Sequence, residues 1–143
     1  MPRDHRKLTV FIQADQLALE AYLLTASFPA SERYGLVSQI RRAAVSGPCN
    51  VVEGAGRSSN AAFAHFLDIA AGSVAEARYL MQLATRLEFI AADSVARFDD
   101  DADHLLRGIN LLRHTVRPKT ESRIANGEPR MANSAQNLTR TPS

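Results

Sequence analysis

One cysteine, Cys49, stands in a chain of 143 residues. No internal disulfide can form, which fits a reducing compartment. Tryptophan is absent and aromatic residues make up only 6%. Sheets favour aromatic and β-branched side chains, so the alanine-rich remainder suits helices better. No apolar run reaches eighteen residues, and no membrane span is expected. The opening MPRDHRKLTV has no signal-peptide core. The expected compartment is therefore the cytoplasm.

Motifs of chemistry are equally scarce. His5, His65, His104 and His114 form no metal-ligand pattern. No nucleophile–base arrangement surrounds a Ser or Cys. Gly54-Ala55-Gly56 follows no strand, and it lacks both the third glycine of a dinucleotide fingerprint and the Gly-Lys-Ser/Thr of a P-loop. No metal, cofactor or catalytic residue is expected.

What is present begins with charge. The formal net charge is +2, but it is unevenly spread. Residues 117–143 carry five basic and two acidic side chains, and the preceding residues twelve basic and thirteen acidic. The tail is thus basic and poor in apolar residues, and is expected to be disordered. The whole chain is 45% hydrophobic, enough to bury a core, and residues 1–116 are expected to form one domain.

The organising stretch runs from Ser38 to Arg57. At 100° per residue, Leu36, Ile40, Ala43, Gly47 and Val51 fall on one side of a helix, and Gln39, Arg42, Ser46, Asn50, Glu53 and Arg57 on another. The polar stripe keeps its phase for five turns. Its members sit at pairing distance, Glu53 with Arg57 and Arg42 with Ser46. Such a stripe reads either as a solvated face or as a partly buried network between helices or subunits, because small residues flank it. Cys49 lies in the same stretch, where a packed thiol fits better than a nucleophile. Pro48 cannot donate to the carbonyl of Ala44, so it either ends this helix or kinks it at a cost of about 3 kcal/mol. The unbroken apolar phase favours the kink.

Three more helices frame this one. The first runs from Thr9 to about Ser27, with Phe11, Ala14, Leu17, Ala18, Ala21, Leu24 and Phe28 inward. Ser31 is the expected N-cap of the central helix, with Glu32 in its first turn. Ser58 or Ser59 opens a third helix reaching about Phe89. Gly72 and Ser73 lie within it, where glycine costs about 1 kcal/mol against alanine, as if another helix passed close by. Asp99, Asp100, Asp101 and Asp103 read as acidic residues at a helix start. Val95, Phe98, Ala102, Leu105, Ile109, Leu112 and Val116 then trace a heptad-like seam on the fourth helix. Glu53 and Glu76 are expected to face each other or to share Arg42 or Arg57. Two such carboxylates also suit acid–base or metal chemistry, but a bundle metal site wants Glu-x-x-His, and Gly56 and Tyr79 stand at those positions.

ERYGLVSQIRRAAVS (residues 32–46), Pro48, NVVEGAGR (50–57) and FLDIAAGSVAE (66–76) together resemble the four-helix bundle family encoded in intervening sequences of bacterial 23S rRNA genes. That family is similar in turn to the accessory protein of diversity-generating retroelements. The resemblance spans roughly residues 8 to 115. Where the family shows Ile-Pro-Ser-Asn-Ile-Ala-Glu-Gly, this chain has Gly47-Pro48-Cys49-Asn50-Val51-Val52-Glu53-Gly54. Asn50, Glu53, Gly54 and Arg57 match, and Gly47 departs most. The family's Gly-Ser and Glu fall on Gly72, Ser73 and Glu76. The resemblance implies an antiparallel up-and-down bundle, a ring of five subunits and no known enzymatic activity. The retroelement branch binds nucleic acid and a reverse transcriptase; the other branch has no settled function. The expected polar network is Arg42, Asn50, Glu53, Arg57, Ser73 and Glu76, and the expected nucleic-acid contacts are Arg41 and Arg42. RNA, DNA or a nucleoprotein are the partners to test, against a scaffold with no nucleic-acid role.

Overall fold

The computed structural model describes residues 2–117. The expected disordered tail, residues 117–143, lies outside them apart from Arg117. Four helices dominate: α1 (Thr9–Thr25), α2 (Leu36–Ala55), α3 (Asn60–Arg86) and α4 (Ala92–Val116). Short 3-10 turns precede α1 at His5–Lys7 and α2 at Ala30–Glu32. No strand occurs among the described residues.

Side-chain pairs fix the direction of each neighbour. Asp68 of α3 meets Arg113 of α4 at 2.5 Å, and Arg78 meets Asp103 at 3.5 Å. Ten residues forward on α3 are thus ten residues back on α4. Ser46 meets Ser73 across α2 and α3, and Gly54 lies against Phe66. Arg41 reaches Thr25 from α2 to α1. Glu20 faces Arg97, and Val10 faces Gly108, across α1 and α4. Every neighbouring pair is antiparallel, and α4 closes the ring on α1. This is an all-α, up-and-down four-helix bundle.

The core follows the predicted faces. Leu17, Ile40, Phe63, Leu67, Met81, Phe98, Leu105 and Ile109 are its largest fully buried members. Alanines fill the gaps between them, at Ala14 and Ala21 on α1, Ala70, Ala77 and Ala84 on α3 and Ala102 on α4. The α4 seam is buried except at its partly covered Leu112.

Two boundaries differ from expectation, the start of α2 and the end of α3. Ser31 caps nothing; it lies within the 3-10 turn, and α2 begins at Leu36. Glu32 takes the capping role, accepting a hydrogen bond from the Leu36 N–H at 3.0 Å. Of the two serines expected to open α3, Ser59 caps it by accepting from the Ala62 N–H. α3 ends at Arg86 rather than Phe89, because Glu88 turns left-handed (φ 63°) and the Phe89 N–H returns to the Ala84 carbonyl at 3.0 Å. That is a Schellman ending without its usual glycine. In keeping with the unbroken apolar phase, α2 continues through Pro48, which is buried inside the helix and does not end it.

The close approach between α2 and α3 occurs at Gly54 and Gly47, not at Gly72. A Cβ on Gly54 would meet the Phe66 Cβ at 2.8 Å and the Phe63 ring at 3.0 Å. One on Gly47 would meet Val74 at 3.1 Å, so Val74 occupies the space a larger residue 47 would take. Around Gly72 nothing lies within 4 Å; its open side faces away from the bundle. Gly54→Ala should therefore cost about 1–3 kcal/mol of unfolding free energy. Urea denaturation checks this, and Gly72→Ala serves as a neutral or stabilising control.

Candidate functional site

The polar stripe of α2 lies along the shoulder that faces α3. Its centre is Ser46. The hydroxyls of Ser46 and Ser73 share a hydrogen bond of 2.8 Å across the two helices. Asn50 Nδ2 donates to the Ser46 carbonyl at 2.8 Å and to its hydroxyl at 3.0 Å. All three are partly buried. Neutral bonds of this kind contribute about 1 kcal/mol each and fix register more than stability.

The charged members of the stripe stand apart from this cluster. Glu53 pairs with Arg57 at 2.5 Å one turn along, with both side chains about half exposed. Arg57 also lies over the Phe66 ring, 5.0 Å from its centre. Arg42 and Glu76 are exposed, and neither makes an ion pair or hydrogen bond among the described residues. Glu53 and Glu76 do not face each other. In the antiparallel register Glu53 lies beside the level of Phe66, so Glu76 sits roughly 15 Å further along the bundle. The pair cannot act as acid and base on one substrate. Cys49, expected to be packed, is exposed. It stands two positions from buried Gly47 and from buried Val51, and 200° of helical turn carries it to the outer side.

Arg41 and Arg42, adjacent in sequence, separate in space. Arg41 is spent on α1: its Nε donates to Thr25 Oγ1 at 2.9 Å, an Nη reaches the Tyr22 carbonyl at 3.3 Å, and the guanidinium lies over the Tyr22 ring at 4.4 Å. Arg42 is free to meet a ligand. Both line a cleft of about 530 Å³ between α1 and α2, together with Tyr22, Arg33 and Tyr34.

The acidic run is not at a helix start. α4 begins at Ala92, and the aspartates lie on its third and fourth turns, each with its own direction. Asp99 receives both Nε and an Nη of Arg78, at 2.9 and 3.0 Å, and the Gln82 amide at 2.7 Å. Arg78 holds the Asp99 carboxyl below its ordinary range, with Gln82 assisting. Asp103 supports the same guanidinium. Asp101 turns the other way, toward Glu20 of α1. Burial, and then the Asp101 carboxylate, push the Glu20 carboxyl up to about 7, against a smaller opposing pull from Arg97. Glu20 Oε2 is buried without a hydrogen-bond partner among the described residues. Among those residues no group of three or more His, Cys, Asp or Glu is placed to hold a metal ion.

Sequence reasoning missed two features. Arg78, Glu20 and Arg113 each carry interhelix pairs, but their partners lie 21 or more positions away and no local pattern announces them. The second is the outer face of α1, where Ile12, Leu19 and Leu23 are 57%, 55% and 76% exposed. Their spacing of seven and four was legible as a second apolar stripe.

The family model of the 23S rRNA-intervening sequence proteins matches residues 6–111. A crystal structure from Bacteroides thetaiotaomicron, of a protein with unknown function from the S23 ribosomal protein family, shares the fold. It is 21% identical, with a TM-score of 0.65, over 77% of this chain and 100% of that one. No curated protein matches the chain. No helix among the described residues is long and apolar enough to cross a membrane.

Glu20 yields a pH test. Its carboxyl is raised in the fold from 4.5 to about 7. The folded state therefore holds the proton more tightly, and Glu20's favourable contribution is full below pH 4.5 and is lost as pH rises through about 7. Glu20→Gln should raise Tm at pH 8 by roughly 3–6 °C and change it little at pH 4.5. Calorimetry at the two pH values checks the crossing.

Proposed function

The chain belongs to the 23S rRNA-intervening sequence protein family, and from that premise we propose that it is a non-enzymatic, self-assembling bundle that binds nucleic acid in the cytoplasm. The observation that carries the assembly is the α1 row. Ile12, Leu19 and Leu23 lie in line on a helix whose opposite side is already in the core. Such rows in soluble proteins mark interaction surfaces.

A different surface of the same chain offers a complement. The outer side of α2 and α3 presents Cys49, Val52, Ile69 and Gly72, rimmed by Glu53 and Glu76. Its small residues admit a row of leucines closely. Joining two unlike faces is a head-to-tail contact, which closes into a ring when the rotation permits. We propose the ring of five that the resemblance implies, with residues 1–116 as its bundle domain. In that ring Glu76 finds the partner that one chain does not supply. Leu19→Glu should leave helical circular dichroism intact and reduce the mass in sedimentation to that of one chain. An unchanged mass would remove α1 from the contact.

For nucleic acid the support is Arg42, beside the family's link by name to 23S rRNA. A scaffold with no nucleic-acid role is the second reading, favoured by the near-neutral charge of residues 1–116. Labelled structured RNA and duplex DNA, titrated across a salt series, separate the two. Phosphate-led binding should persist near physiological salt, and Arg42→Ala should reduce the slope of log K against log salt by about 1. Arg41→Ala should instead lower stability, because its guanidinium ties α2 to α1. Absence of binding above low salt would establish the scaffold reading.

A further inference from the structure

We propose that the cleft between α1 and α2 is a site for single-stranded nucleic acid, in which an unpaired base stacks on Tyr34 and the adjoining phosphates meet Arg33 and Arg42. This rests on the nucleic-acid reading above and narrows it to unpaired strands.

Three observations converge there. The first is composition: the cleft of about 530 Å³ is lined by three arginines and two tyrosines, and by no carboxylate. In a bundle whose charges otherwise nearly cancel, this is a local concentration of positive charge. It is also a place where two of the chain's three tyrosines meet. Folding brings Tyr22 and Tyr34, twelve positions apart in sequence, to the walls of one cleft.

The second is availability. Tyr34 is 88% exposed, so its ring offers its faces to a ligand. Arg33 and Arg42 make no ion pair among the described residues. Their donors are not committed elsewhere. Arg41 differs: it is fixed against Tyr22 and Thr25, and so lends the cleft a permanent charge and a rigid wall.

The third is preorganisation. Tyr34 stands in a connection held by its own bonds. The Gly35 N–H donates to the Glu32 carbonyl at 3.0 Å, the Arg33 N–H to that of Ala30 at 3.2 Å, and the Glu32 carboxylate accepts from Leu36 N–H. A base that stacks there does not have to order a loose loop. Stacking suits any base because each has a π-face, but it needs that face free, which a duplex denies. Guanidiniums supply the backbone contacts without reading sequence.

The test uses the full chain, with its mass in solution checked for every variant. Fluorescently labelled oligouridylate of roughly 12 nucleotides, its thymidylate counterpart and a duplex of equal length are titrated across a salt series. Wild type should bind the single strands more tightly than the duplex. Tyr34→Ala removes no charge, so it should weaken single-strand binding about tenfold while leaving the salt slope unchanged. Tyr34→Phe keeps the ring and should bind as wild type does. Arg33→Ala combined with Arg42→Ala should flatten the slope. Wild-type affinity in Tyr34→Ala, or preference for the duplex, overturns the stacking site and leaves the broader reading standing. Absence of binding to all three probes overturns both.

Discussion

The contact of Gly54 with Phe63 and Phe66 sets the geometry of the bundle. With no side chain at residue 54, α2 comes close enough to α3 for the hydroxyls of Ser46 and Ser73 to hydrogen-bond at 2.8 Å. Gly47 against Val74 repeats the approach two turns earlier. α3, now fixed against α2, hands its register to α4 through charges rather than close backbones. Asp68–Arg113 and Arg78 with Asp99 and Asp103 hold the two helices at separate levels. α1 comes last, held by the Arg41 fork on one side and by Val10 against Gly108 on the other. At the other end of the molecule Arg3 ties the chain start to the α2–α3 turn, through its N–H to the Ala55 carbonyl and its guanidinium over Phe63.

This architecture places the chemistry on surfaces. The core is alanine-padded and closed, and the interhelix ion pairs around it are spent on register. What remains unpaired is outside: the α1 leucine row, Arg33 and Arg42 with the tyrosines, and Glu76. The Glu20 carboxyl is the exception inside, since burial disfavours its charge and Asp101 adds to that cost.

Most of the fold was legible because helical periodicity is a local property. The α4 seam and the inward faces of α1 and α2 follow directly from spacing. What was not legible falls into two kinds. Endings without their usual residue misled: Glu88 in place of a glycine hid the end of α3, and Glu32 capped from four residues away where Ser31 seemed the better candidate. Long-range pairs were the other kind. The aspartates of α4 look like a capping cluster until Arg78 is placed beside them, and nothing within seven residues of Asp99 predicts it. In the candidate site, Ser46 and Asn50 come together as helical phase suggests, and Ser73 joins them as the resemblance implies. Arg41 and Arg42 share a sequence neighbourhood and opposite fates, since 100° of rotation turns one toward α1 and the other to solvent.

The antiparallel ring has a kinetic consequence. The α1–α2, α2–α3 and α3–α4 contacts each close a short loop, whereas α1 meets α4 across nearly the whole described chain, at Val10 and Gly108. Loop-closure entropy grows with the length closed, so this seam is the costliest to form and the first to gain entropy on opening. It is also the seam that buries Glu20 against Asp101. The joint with the greatest entropic debt is thus the one that carries the unfavourable charge, and local opening of the bundle should begin by α1 parting from α4.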